Sequence, residues 1–207
     1  MLLPPVIQNS AAALETALRI NAPCGTYAPS IGTARLLSAH GLDAIGDFGL
    51  NIYNSLSARI FGSICKRITV SPELSLSEVK EISEHTSAET ELLAYGNQCV
   101  MVSRACLIRG IKGKCSCAEP TVLKDKTGAE FTVFGDCETH LNTVFNSRPT
   151  FSADKIPHLR KCGAAALRLC FTTESGARTR EIIAMYRGDI PPVKPKSFTR
   201  GYLLGGK

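Results

Sequence analysis

Short apolar runs rich in β-branched residues alternate with amphipathic stretches along most of this chain, and that alternation restricts the fold more than any other feature. "PPVIQN" (from Pro4) reads as a buried strand, and "SAAALETALRI" (from Ser10) as a helix with Ser10 as its cap. The pattern recurs. "IGTARLLSAHG" (from Ile31) predicts a helix closed by Gly41, "DAIGDFGLN" (from Asp43) a strand, "IYNSLSARIFGS" (from Ile52) a helix and "CKRITVS" (from Cys65) a strand. "SLSEVKEISEH" (from Ser75) is a helix with a serine cap and glutamates in its first turns, and "TELLAYGN" (from Thr90) is the strand after it. After an interruption, "SADKIPHLRKCG", "AALRLCFT" and "SGARTREIIAMYRG" resume as helix, strand and helix, the last ending at Gly188. Strands separated by helical stretches of roughly ten to fifteen residues indicate βαβ units and a parallel sheet, hence an α/β fold. A complete eight-unit barrel takes about 250 residues. With 207 residues, the chain predicts a partial (β/α) TIM-type barrel or a smaller open sheet.

The interruption runs from Cys99 to about Arg148 and is rich in Gly, Lys, Thr and Cys. Within it, "VLKDKTGAEFTVFGD" (from Val122) predicts a hairpin turning at Lys126-Thr127-Gly128, where glycine accepts a positive φ. The expected organisation is therefore residues 1–98 as βα units of an incomplete barrel and 99–148 as a Cys-rich insertion with a hairpin. A final βα portion follows over 149–190, then an irregular Pro- and Gly-rich tail over 191–207.

Nine cysteines constrain the chemistry. An odd number cannot all pair, and "MLLPPVIQNS" lacks the basic and apolar segments of a secretory signal, so a reducing cytoplasmic setting is expected. There, clustered thiols serve as metal ligands or as small buried residues more often than as staples. Cys24, Cys65, Cys162 and Cys170 lie in or beside apolar runs and read as buried residues. Cys99, Cys106, Cys115, Cys117 and Cys137 are different. They crowd the interruption, and glycines in "RGIKGK" let the backbone curl around an inorganic core, so a four-iron cluster is the leading reading. Zinc is the alternative, although the spacings of six residues and one depart from the usual C-x₂₋₄-C knuckles. Of the histidines, His40, His85 and His158 fall at helical positions, and only His140 lies close in sequence to a clustered cysteine. No triad, HExxH helix or aspartic dyad motif is visible, and the catalytic residues stay unknown.

The order Glu91, Gly96, Cys99, x₆, Cys106 resembles the signature of peptidase family U32, the collagenase-like peptidases. "GDFGLNIYNS" (from Gly46), "VSPELSLSEVKEI" (from Val70), "LKDKTGAEFTV" (from Leu123), "NSRP" (from Asn146), "LRLCFTTES" (from Leu167), "REIIAMY" (from Arg180) and "FTRGYLLGG" (from Phe198) resemble the same family in the same order. Where the family has C-x₃-C this chain has Cys115-Ser-Cys117, which leaves the third ligand open between them; Cys115 matches better by its G-x-C context and Cys117 is a spare.

The resemblance implies the C-terminal portion of a barrel, and with it a fragment or a split subunit. It implies either a protease or a protein with a 4Fe–4S cluster that takes part in oxygen-independent hydroxylation of RNA bases or a quinone-like aromatic, prephenate being the implied hydroxyl source. Within it, Asp47, Asn51 and Asn54 follow a strand and can line a substrate pocket, while Lys124, Asp125 and Arg168 suit an anionic substrate or RNA phosphate. The plainer reading makes the asparagines helix caps and Lys124-Asp125 a turn. The net charge of +6 leans toward a polyanionic partner such as tRNA or rRNA. A second subunit supplying the absent strands is the other expected partner, and the alternative that follows makes this chain the non-catalytic, cluster-carrying half of a heteromer. No apolar run reaches the roughly 20 residues of a membrane span, so no insertion is expected.

Overall fold

The computed structural model describes Glu15 and residues 25–114, 116–117, 119–137 and 141–204. The strand expected at "PPVIQN", the helix expected at "SAAALETALRI" (Glu15 apart), and Cys24, Cys115 and His140 lie outside the described residues. In chain order the elements are β1 (Thr26–Ala28), α1 (Ile31–Ala39), β2 (Ala44–Gly46), α2 (Ser55–Gly62), β3 (Arg67–Thr69), α3 (Leu76–Glu84), β4 (Glu89–Gly96) and β5 (Cys99–Ser103). Then come α4 (Leu107–Lys112), β6 (Thr121–Lys124), β7 (Glu130–Asp136), β8 (Leu141–Phe145), β9 (Thr150–Phe151), α5 (Ile156–Lys161), β10 (Ala166–Leu169) and α6 (Gly176–Arg187). Single 3₁₀ turns cover Phe48–Leu50 and Ala153–Lys155. The chain divides into two compact units.

The first unit comprises residues up to Ala94, Ser152–Leu169 and the stretch from Arg200. Its strands β1, β2, β3 and β4 are parallel neighbours in that order, with β10 beside β4. The α/β class therefore holds. Among the described residues the sheet stays open and closes no barrel. Helices α1, α2 and α3 begin where a side chain satisfies the first free N–H groups: Ser30 caps α1, Asn54 and Ser57 form a capping box on α2, and Ser75 and Glu78 do so on α3.

Because side chains alternate across a strand, the register sorts the sheet into two faces. Thr90 hydrogen-bonds Ser83 of α3 at 2.7 Å, so the face with Thr90, Ile68, Gly46 and Ala28 is the one covered by helix. Ala34, Leu37, Ala58, Val79, Ile82 and Leu159 are buried apolar helix residues of this unit's core. The opposite face carries Tyr27, Asp47, Arg67, Thr69, Glu89 and Glu91, a polar set unusual for a parallel sheet.

The second unit comprises Tyr95–Phe151 and Cys170–Thr199. Strands β5, β8, β7 and β6 form an antiparallel sheet in that order. Ile108 of α4 packs with Val133 and Val144 in its small core. The hairpin forms as expected, with Lys124 opposite Glu130 and Gly128 at φ +83°. Strands β5 and β8 and helix α4 were not anticipated, since composition alone marked their stretch as irregular. β5 is an edge strand whose Val100, Met101 and Val102 are exposed. In the same unit Tyr186 of α6 packs edge-on against Tyr95 and Phe151. Among the described residues no helix is long and apolar enough to cross a membrane.

Candidate functional site

On the polar face of the parallel sheet, five residues meet from five segments. Glu91 is 2% exposed on β4; the Tyr27 hydroxyl stands 3.0 and 2.9 Å from its two carboxylate oxygens, and the Thr69 hydroxyl donates to Oε1 at 3.0 Å. Arg168, on β10, places Nε 4.0 Å from Glu91 Oε1 and Nη1 against Asp47 Oδ1. Asp47 directly follows β2 and also accepts from the Phe48 backbone N–H at 2.8 Å. The guanidinium carbon lies 4.3 Å from the centre of the Tyr27 ring and 5.6 Å from that of Phe48, a cation–π arrangement. Arg67 borders the cluster, 3.8 Å from Glu91 and 2.6 Å from Glu89. Asp47 and Thr69 lie at the carboxyl ends of their strands, where open parallel sheets place ligand sites.

Burial, and next the Glu91 carboxylate, push the Tyr27 phenol far above its ordinary range. Tyr27 is thus a lasting hydrogen-bond donor and not a base. The Arg168 guanidinium faces both Asp47 and Glu91 and is engaged by both.

Of the residues singled out from sequence, the structure brings Asp47 and Arg168 together. Asn54 caps α2, and Asn51 ends the 3₁₀ turn in the left-handed region at φ +48°. Lys124 pairs with exposed Glu130 at 2.7 Å, and Asp125 accepts from the Thr127 and Ala129 N–H groups within the hairpin turn. Sequence reasoning missed Tyr27 and Thr69, and met Glu91 only within the family signature. A carboxylate inside the apolar run "TELLAYG" was the signal available.

Cys99, Cys106, Cys117 and Cys137 all belong to the second unit. Cys106 caps α4, its sulfur accepting from the Arg109 N–H at 3.3 Å. A Cβ placed on Gly135 of β7 would stand 3.1 Å from Cys117 Sγ and 2.8 Å from Ile108 Cδ1. The helix of Cys106, the Cys117 thiol and the strand leading to Cys137 therefore come together at a glycine. One thiol, that of Cys117, borders this cradle, and thiolate sulfur is by its chemistry a soft-metal ligand.

Cys99 stands elsewhere. The ladder aligns Ser103, Asn142 and Gly135 in one row but Cys99 with Phe145, about 10 Å along β8 and on the side away from Cys137. Burial raises the Cys99 thiol pKa. Among the described residues no group of three or more His, Cys, Asp and Glu side chains is gathered closely enough to hold a metal ion; Cys115 is not among those residues. Cys65 and Cys162 are buried, as their apolar contexts predict, and Cys170 is half-buried. His40 and His85 each turn Nδ1 to a carbonyl of their own helix, at 2.9 and 2.7 Å.

Residues 26–199 match the family model of peptidase family U32. The chain belongs to that family. An uncharacterized protease of Methanocaldococcus jannaschii is 32% identical over 83 residues, which are 38% of this chain and 20% of that protein. The match thus spans a fifth of the length of this curated relative. The solved U32 peptidase Mk0906 aligns at a TM-score of 0.39 with 17% identity, over 47% of this chain and 45% of that one. A chitinase from Chromobacterium violaceum aligns at 0.36 with 12% identity, over 89% and 74%. Both structural likenesses are too weak to add to the description of the fold. In this U32 chain the signature residues divide by role: Glu91 anchors the buried ion cluster, Gly96 accepts φ +116°, and Cys106 lies at the thiol-bearing end of the antiparallel sheet.

Proposed function

We propose that this U32 chain carries a 4Fe–4S cluster and takes part in oxygen-independent hydroxylation of an RNA base or a quinone-like aromatic. The reading is supported chiefly by the meeting of the Cys106 helix, the Cys117 thiol and the strand of Cys137 at Gly135. The proposed ligands are Cys99, Cys106, Cys137 and one of Cys115 and Cys117. Cys99 joins only if β5 gives up its first pairings, next to the irregularity between Cys99 and Met101. When bound, such a cluster supplies one-electron transfer. The chain's own contribution is to hold thiolates in place and, through a net charge of +6, to favour a polyanion such as tRNA or rRNA. The parallel sheet is read as a segment of a (β/α) barrel, completed by further strands from a second subunit or a longer chain.

A second reading is a protease, with zinc at the thiols; its protease part is favoured by the likeness to the uncharacterized protease of M. jannaschii. A third makes the chain the non-catalytic, cluster-holding half of a heteromer.

Purification without oxygen, followed by iron and sulfide analysis and visible spectroscopy, tests the first reading. Brown protein that is bleached by serine at four of Cys99, Cys106, Cys115, Cys117 and Cys137 is the expected result. Colourless protein with one tightly held zinc, and gelatin hydrolysis lost in Cys106→Ser, would replace it with the second. RNA that co-purifies and is released by salt supports the proposed partner.

A further inference from the structure

Buried amide oxygens rarely lack a donor. Asn142 of β8 is 2% exposed, and among the described residues its Oδ1 has no hydrogen-bond partner. It pairs across the ladder with Gly135, and a Cβ on that glycine would stand 3.3 Å from Asn142 Oδ1 and 3.1 Å from Cys117 Sγ. The amide and the thiol thus border the same small space, with Ile108 Cδ1 as its third wall. Any side chain at 135 would fill that space.

A side-chain amide exchanges oxygen for NH₂ by a half-turn about its last torsion. Facing an apolar wall and a neutral thiol, neither orientation gains much. Facing a metal-bound thiolate, the NH₂ group gains a charge-assisted hydrogen bond. Groups that bind a ligand sulfur in this way strengthen metal binding and raise the reduction potential of an iron–sulfur core. We infer that Asn142 is a positioning residue of the thiol centre, donating from its side-chain amide to the sulfur of Cys117 when that sulfur holds a metal or cluster. Gly135 is the glycine that lets the two approach. The inference rests on the thiol centre proposed above.

The test compares the reduced, metal-free full chain with Asn142→Leu, Asn142→Asp, Gly135→Ala and Cys117→Ser, each titrated with Co(II) and followed by the thiolate-to-cobalt absorption. Asn142→Leu is expected to bind Co(II) about tenfold more weakly or worse, while its metal-free unfolding midpoint is unchanged or higher, because an unpartnered buried oxygen has been removed. After iron–sulfur reconstitution its midpoint potential is expected to be more negative than that of the parent. Asn142→Asp, which has the same shape and no donor, should also bind weakly, and it decides the matter if the leucine variant fails to fold. If both Asn142 variants bind Co(II) like the parent while Cys117→Ser does not, the inference fails and the thiol centre stands. If the parent chain binds neither Co(II) nor a cluster, the centre fails and the inference with it.

Discussion

Arg168 and Asp47, 121 residues apart in sequence, meet as a buried ion pair, and the same guanidinium lies over the ring of Tyr27 and faces Glu91. Removing one member of such a set leaves charge stranded out of water. Arg168→Leu is expected to lower unfolding free energy by about 3 kcal/mol or more, read from urea denaturation. Arg168→Lys should recover only part, because an ammonium cannot both bridge the carboxylates and stack on the ring. Adding Asp47→Asn to Arg168→Leu should cost less than the two changes taken separately, and a cycle with zero coupling would remove the pair from the account.

The Tyr27 phenol is held protonated first by burial and then by Glu91. Replacing Glu91 by Gln takes away the negative charge and keeps the shape, so the phenol should ionise at lower pH than in the parent. Ultraviolet titration against a Tyr27→Phe control reads this directly. An unchanged titration would mean that Tyr27 does not sense Glu91.

Gly96 has φ +116°, and a Cβ there would stand 1.9 Å from the Cys170 carbonyl oxygen. Both the backbone conformation and the contact exclude a side chain. Gly96→Ala is expected to unfold the second unit or cost it about 3 kcal/mol or more. Circular dichroism through a denaturant series measures the loss, and an alanine variant as stable as the parent would show that the strand end adjusts.

Burial pushes the Cys65 thiol up from 9.0 to about 11. The folded chain holds this proton more tightly than the unfolded chain does. Stability from the site is therefore complete below about pH 9 and is lost as pH rises toward about 11, by on the order of 2 kcal/mol. Cys65→Ala should flatten that part of the stability-against-pH curve. Cys162, raised in the same direction by burial, leaves a residual slope. A curve of unchanged steepness in Cys65→Ala would refute the assignment.

Local signals carried much of the fold. The caps at Asn54 and Ser75 and the period of the helices they open could be read directly, as could the hairpin around Gly128. What failed was pairing across distance. β5 and β8 hold Val100, Val102 and Val144, ordinary strand residues, but the Cys and Gly around them hid the pattern. Asp47 and Arg168 were each noticed as polar residues beside strands. Their meeting depends on the order β2, β3, β4, β10, which no local window contains. The thiols show the same limit: their crowding was plain in the sequence, while the ladder register that sets Cys99 apart from Cys137 is a property of three strands together.

The outer border of β5 has a further effect. Its Val100, Met101 and Val102 lie beside a row of peptide groups that no strand of the described sheet covers on that side. Such a rim is a template on which another polypeptide can zip itself. Concentrated preparations will clump along this seam first, and a single lysine in place of Val100 is the simplest gatekeeper against it.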